Sequence, residues 1–135
     1  MYLSNLNENL KKLFLNFGYL IAKADGEFSE SEKNLLDSYS TELQMECNIE
    51  TLTLGIDDIL KEIKENANET EFKIIIFEAI GIAMSDGDYS EPEKEIIKKA
   101  QSEFGLSENF EKLCELLIGK YLSLQSDIND LVLDN

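Results

Sequence analysis

The sequence predicts an all-α fold: a compact, pseudo-two-fold bundle of about six to seven helices built on a duplicated helix-turn-helix. Three observations carry this prediction. Apolar residues recur at intervals of three and four along most of the chain. No segment sustains the period-2 alternation of a half-buried strand. One acidic turn occurs twice, each time between two helical patterns.

The apolar series Leu3, Leu6, Leu10, Leu13, Phe14, Phe17, Leu20, Ile21 and Ala24 predicts one long first helix with a continuous buried stripe. It should stop at Asp25-Gly26, where glycine accepts the left-handed conformation. Ser29-Glu30-Ser31-Glu32 opens a second helix, with Ser29 and Glu32 in capping-box relation and Leu35, Leu36, Tyr39 and Leu43 inward. The pattern lapses from Asn48 to Thr53. A third helix carries Ile56, Ile59, Leu60 and Ile63 and ends within Asn66-Ala67-Asn68.

Asn68 and Glu71 form a second capping box ahead of Phe72, Ile75, Ile76, Ala79, Ile80 and Ala83. This fourth helix is apolar around most of its circumference, which places it at the centre of the fold. It stops at Asp86-Gly87. Ser90-Glu91-Pro92-Glu93 opens a fifth helix, with Pro92 in the first turn where a missing N–H is harmless. Gly105 ends it. Ser107 starts a sixth helix with Phe110, Leu113, Leu117 and Tyr121 inward, and Asp127 to Leu133 suggests a short seventh. Short connections and the absence of linker composition indicate one domain over residues 1–135.

Ile21–Leu36 aligns with Ile82–Ile97 at an offset of 61, with eight identities in sixteen positions. The shared string is Ile-Ala-x-x-Asp-Gly-(Glu/Asp)-(Phe/Tyr)-Ser-Glu-x-Glu-Lys, and the repeat copies run roughly 10–45 and 71–106. Three carboxylates recur per copy: Asp25, Glu27 and Glu32, then Asp86, Asp88 and Glu93. Oxygen-only clusters suit hard cations, so Ca²⁺ or Mg²⁺ is the cofactor these six residues could hold. The turn is similar to the second half of an EF-hand loop. The first and third loop positions would be Ile21 and Lys23, or Ile82 and Met84, which cannot ligate calcium. Helix termination, capping and favourable charge at helix starts also account for most of the motif. A third use of the same acids is docking a protein with a basic surface.

At 135 residues the chain can bury a core unaided, and its formal charge is −16, from 28 acidic residues and 12 lysines. There is no His, Arg or Trp. Histidine-activated nucleophiles, imidazole metal ligands and bidentate guanidinium clamps are therefore excluded. The negative charge opposes binding to nucleic acid or an anionic leaflet. Cys47 and Cys114 follow no CxxC pattern and read as free thiols. The start lacks a basic n-region and the longest apolar run is Ile74–Phe77, so neither a signal peptide nor a membrane span is expected, and the predicted location is cytoplasmic.

The strings Ala24-Asp25-Gly26-Glu27-Phe28-Ser29-Glu30-Ser31-Glu32 and Ser85-Asp86-Gly87-Asp88-Tyr89-Ser90-Glu91-Pro92-Glu93 resemble the mark of the tellurite-resistance TerB-like family, with Ser for Ala in the second copy. The resemblance spans roughly Leu10 to Leu122. It implies a bundle of about seven helices with acidic residues gathered on one surface, suspected of binding metal or a partner. It also implies a setting in bacterial stress response and brings no enzymatic activity. The expected function is thus a non-enzymatic acidic module that binds a divalent cation weakly, docks a protein partner, or both. A carboxylate-based metal-assisted hydrolase and a purely structural or oligomerising module are the alternatives.

Overall fold

The computed structural model describes residues 2–24, 30–42, 54–84 and 89–133; within 30–42 the side chains at 31, 32, 35, 36, 39 and 42 lie outside the description. Every regular element among the described residues is helical, and none is a strand. They are a 3-10 turn at Leu3–Asn5 and helices α1 (Glu8–Ala22), α2 (Glu30–Glu42), α3 (Ile56–Asn66), α4 (Glu69–Ala83), α5 (Glu91–Glu103) and α6 (Glu108–Leu133). The predicted Ser29 cap, the inward Leu43, and the lapse from Asn48 to Thr53 fall outside the described residues. No helix among them is long and apolar enough to cross a membrane.

The first helix is shorter than its apolar spacing predicts. Leu6 is extended, with φ −86° and ψ 147°, and Asn7 caps α1 by accepting the Leu10 N–H at 2.9 Å. A side-chain oxygen two bonds from Cβ satisfies an N–H that the helix start leaves open, so Asn starts helices readily. Leu3 and Leu6 stay buried although the helix does not run through them. Their spacing reports the core face, and the backbone reaches it by a 3-10 turn.

α4 occupies the centre, as its sequence predicts. Ile74, Ile75, Ile76, Ala79, Ile80, Ile82 and Ala83 are all buried, so consecutive positions point inward on every side. α1, α2, α5, α6 and the N-terminal turn all pack on it. Each buried isoleucine stabilises the fold by roughly 1.5–3 kcal/mol relative to exposure. The predicted Asn68/Glu71 capping box is present, with Glu71 N–H to Asn68 at 2.9 Å and Asn68 N–H to Glu71 at 3.0 Å. α3 lies against α1 and α5 through Ile59, Leu60 and Ile63. Asn16, buried in α1, secures the chain leading into α3: its amide accepts from Leu54 N–H at 3.2 Å and donates to Leu54 C=O at 3.3 Å.

Helix boundaries repeat. Glu8–Ala22 recurs as Glu69–Ala83 and Glu30–Glu42 as Glu91–Glu103, an offset of 61 residues at every boundary. α5 ends as predicted at Gly105, whose φ of 72° allows the Gly105 and Leu106 N–H groups to bond back to Ser102 and Gln101.

α6 corrects the sequence reading in two ways. It is one helix of 26 residues, with no break before Asp127, since neither Gly nor Pro interrupts the stretch from Lys120 to Leu133. Its buried residues are Glu111, Cys114 and Ile118, whereas the expected inward Leu113, Leu117 and Tyr121 are about half exposed. The bundle meets a face one residue away from the predicted one, a rotation of about 100°.

Candidate functional site

Of the six predicted acidic residues, Asp25, Glu27, Asp86 and Asp88 lie outside the described residues, as does the side chain of Glu32 in α2. Glu93 is described, and it belongs to the cap of α5. Its Oε1 accepts from Ser90 N–H and from Ser90 Oγ–H, both at 2.9 Å, and its own N–H donates to Ser90 Oγ at 3.4 Å. The carboxylate is 1% exposed. Among the described residues no three His, Cys, Asp or Glu side chains are grouped to hold a metal ion.

The end of the second acidic turn is anchored to α6. Tyr89 donates its hydroxyl to Glu111 Oε1 at 3.2 Å, and the Glu111 N–H donates to Gln101 Oε1 at 3.1 Å. Burial, then the charge and hydrogen bond of Glu111, hold the Tyr89 hydroxyl far above its ordinary range, so it remains a donor. Lys94 lies 5.2 Å from the Tyr89 ring centroid. Cys114 is a free, buried thiol, pushed up to about 11 by burial and then by Glu111. At neutral pH its thiolate fraction is on the order of 10⁻⁴, which disfavours nucleophilic chemistry there. These groups join α5 to α6.

The feature that sequence reasoning missed is the surface of α6. Beyond Ile118 every described residue is exposed or half-exposed, and many are large and apolar. Leu117 (56% exposed), Tyr121 (53%), Leu124 (59%), Ile128 (50%) and Leu131 (82%) recur at alternating intervals of four and three. That is the spacing of a coiled-coil seam. At its base lies an apolar groove of about 600 Å³ between α4, α6 and the N-terminal turn, walled by Tyr2, Phe77, Phe110, Leu113 and Leu117.

Length is the signal that could have revealed it. The 26 residues of α6 span about 39 Å, against about 22 Å for the 15-residue helices α1 and α4 that form the core. A helix so much longer than its neighbours runs out of partners within the bundle, yet its apolar pattern continues. No family model, no curated protein and no solved structure matches the chain.

Proposed function

We propose that this chain is a non-enzymatic protein-docking module whose contact surface is the outer half of α6. The observation that carries the reading is the seam of Leu117, Tyr121, Leu124, Ile128 and Leu131 standing in solvent beside an apolar groove. Contiguous apolar surface beyond a few hundred Å² marks interaction sites in folded proteins. The protonated Tyr89 and Cys114 and the capping role of Glu93 support a module without catalysis.

A photo-crosslinking amino acid at Gln125, introduced in cells, tests docking without presuming the partner. Covalent adducts heavier than the chain are expected, and they should disappear when Leu124→Asp and Ile128→Asp are added. Absence of any adduct refutes the reading.

The duplicated turns form a second surface in this proposal. The recurrence of helix boundaries at an offset of 61 supports a pseudo-two-fold relation between α1–α2 and α4–α5, in the manner of the TerB-like family that the turns resemble. That resemblance also supports a role in bacterial stress response. In this arrangement Asp25, Glu27 and Glu32, with Asp86 and Asp88, meet a divalent cation or a basic protein surface, while Glu93 stays in the cap of α5. Few carboxylates per turn imply weak cation binding, on the order of 10⁻⁴–10⁻³ M. Calcium followed by magnesium should shift backbone amide resonances only within 24–33 and 85–94, and Asp25→Asn/Asp86→Asn should abolish the shifts. Unmoved resonances at several millimolar cation exclude the metal and leave the basic surface.

A further inference from the structure

Resting on the docking reading above, we infer that the partner of α6 is α6 of a second copy, packed antiparallel to form a two-fold dimer. Three features of the exposed helix point to a copy of itself and to that orientation.

The first is area. Seven large apolar residues lie on or beside the seam between Leu113 and Val132, each from half to four-fifths exposed. At roughly 200 Å² for a fully exposed large residue they present on the order of 800 Å², which is what one partner of a stable interface buries. An isologous contact uses the same surface on both sides, so no further patch is needed.

The second is register. In antiparallel coiled-coil packing, alternate seam positions of one helix layer against the complementary positions of the other. Placing Tyr121 against Leu124 of the second copy sets Leu117 against Ile128 and brings Leu131 over Cys114. The groove walled by Phe77, Phe110 and Leu113 lies at that point, so the apolar tip of each helix ends over the apolar groove of the other copy. In a parallel pair both tips project together and both grooves stay open.

The third is charge. Lys120 and Asp127 flank the seam on the same side, one heptad apart. In the antiparallel register Lys120 of each copy stands near Asp127 of the other, giving two opposite-charge contacts. A parallel pair sets Lys120 beside Gln125 and Asp127 beside Val132, with no charge pairing. The antiparallel form also places the two bundles, each part of a chain of charge −16, at opposite ends of the paired helices. Repulsion between them is screened beyond about 8 Å at physiological salt.

Sedimentation of the purified full chain from 1 to 100 µM tests the inference. The expected result is a reversible species of twice the 15.4 kDa chain mass, converted to monomer by Leu124→Asp/Ile128→Asp. Those residues are exposed in the single chain, so the helical circular dichroism of the bundle should persist. Lys120→Asp should weaken dimerisation roughly tenfold, and adding Asp127→Lys in the same chain should restore it. In a Cys47→Ser/Cys114→Ala background, Tyr121→Cys should form disulfides with Leu124→Cys, and Leu131→Cys should form none with itself. A monomer at 100 µM overturns self-association; adducts at Gln125 with other proteins would then leave the docking reading standing. A dimer that crosslinks through Leu131→Cys overturns the antiparallel geometry.

Discussion

The two capping boxes offer a matched pair in which one motif sits in two environments. Asn68/Glu71 at the start of α4 is exposed, while Ser90/Glu93 at the start of α5 is closed over by the bundle, with Glu93 almost wholly buried. Losing the first cap frees N–H groups that water can satisfy, so Asn68→Ala should cost about 1 kcal/mol. Ser90→Ala removes the same kind of cap and also deprives a buried carboxylate of a 2.9 Å hydroxyl donor. A charged buried group short of a partner adds about 1–3 kcal/mol. The expected loss is therefore about 2–4 kcal/mol, larger than for Asn68→Ala by at least about 1 kcal/mol. Urea unfolding followed by circular dichroism should show both midpoints falling with the slope unchanged. In melting temperature each kcal/mol corresponds to about 3–5 °C for a domain of this size. Equal losses for the two variants would refute the argument that burial amplifies the cap. Glu93→Gln extends the test: its destabilisation should be the same in EDTA and in millimolar calcium, and a loss seen only with calcium would assign Glu93 to a cation instead.

Three further outcomes follow from the packing. Because the folded Cys114 thiol is raised from 9.0 to about 11, its contribution is fully present below pH 9 and is lost as the pH rises toward 11; Cys114→Ala should remove the fall that begins at pH 9 in a pH series of unfolding curves and leave that of Tyr89 above pH 10. Gly105→Ala forces a Cβ into φ of 72° although no atom lies within 4 Å, so strain alone should lower stability by about 1 kcal/mol, with Gly105→Asn losing less. Asn16→Leu strips both hydrogen bonds from the Leu54 backbone and should cost about 2–3 kcal/mol, with amide exchange accelerated at Leu54 ahead of the core of α4.

Local physics made much of this fold legible. Asn68, Ser90 and Gly105 act through groups within a few residues of themselves, so the α4 and α5 starts and the α5 end fall where their chemistry predicts. The all-round apolar character of Phe72–Ala83 likewise identifies the central helix without knowledge of its neighbours. The first helix shows the limit: Leu3 and Leu6 keep the spacing of the core, and Asn7 competes successfully for the helix start. Spacing records which residues are buried, whereas the cap decides where helical hydrogen bonding begins. For the candidate site, the repeated Asp-Gly-x-x-Ser-Glu-x-Glu string revealed the cap of α5 and the role of Ser90 in it. It did not reveal that Glu93 would be almost wholly buried, because that depends on how α5 packs against the rest of the bundle.

The sequence alone determined that this chain is helical and where most of its helices begin or end, since those properties rest on contacts within a few residues, and it carries one acidic string twice. Only the tertiary structure decided what α6 does. Its apolar spacing favours the face 113/117/121, yet the bundle covers the adjacent face 111/114/118. Which one the bundle covers depends on the angle at which α4 and α5 receive the helix, and how far coverage extends depends on where those helices end. Both are long-range quantities, and together they leave the outer half of α6 uncovered.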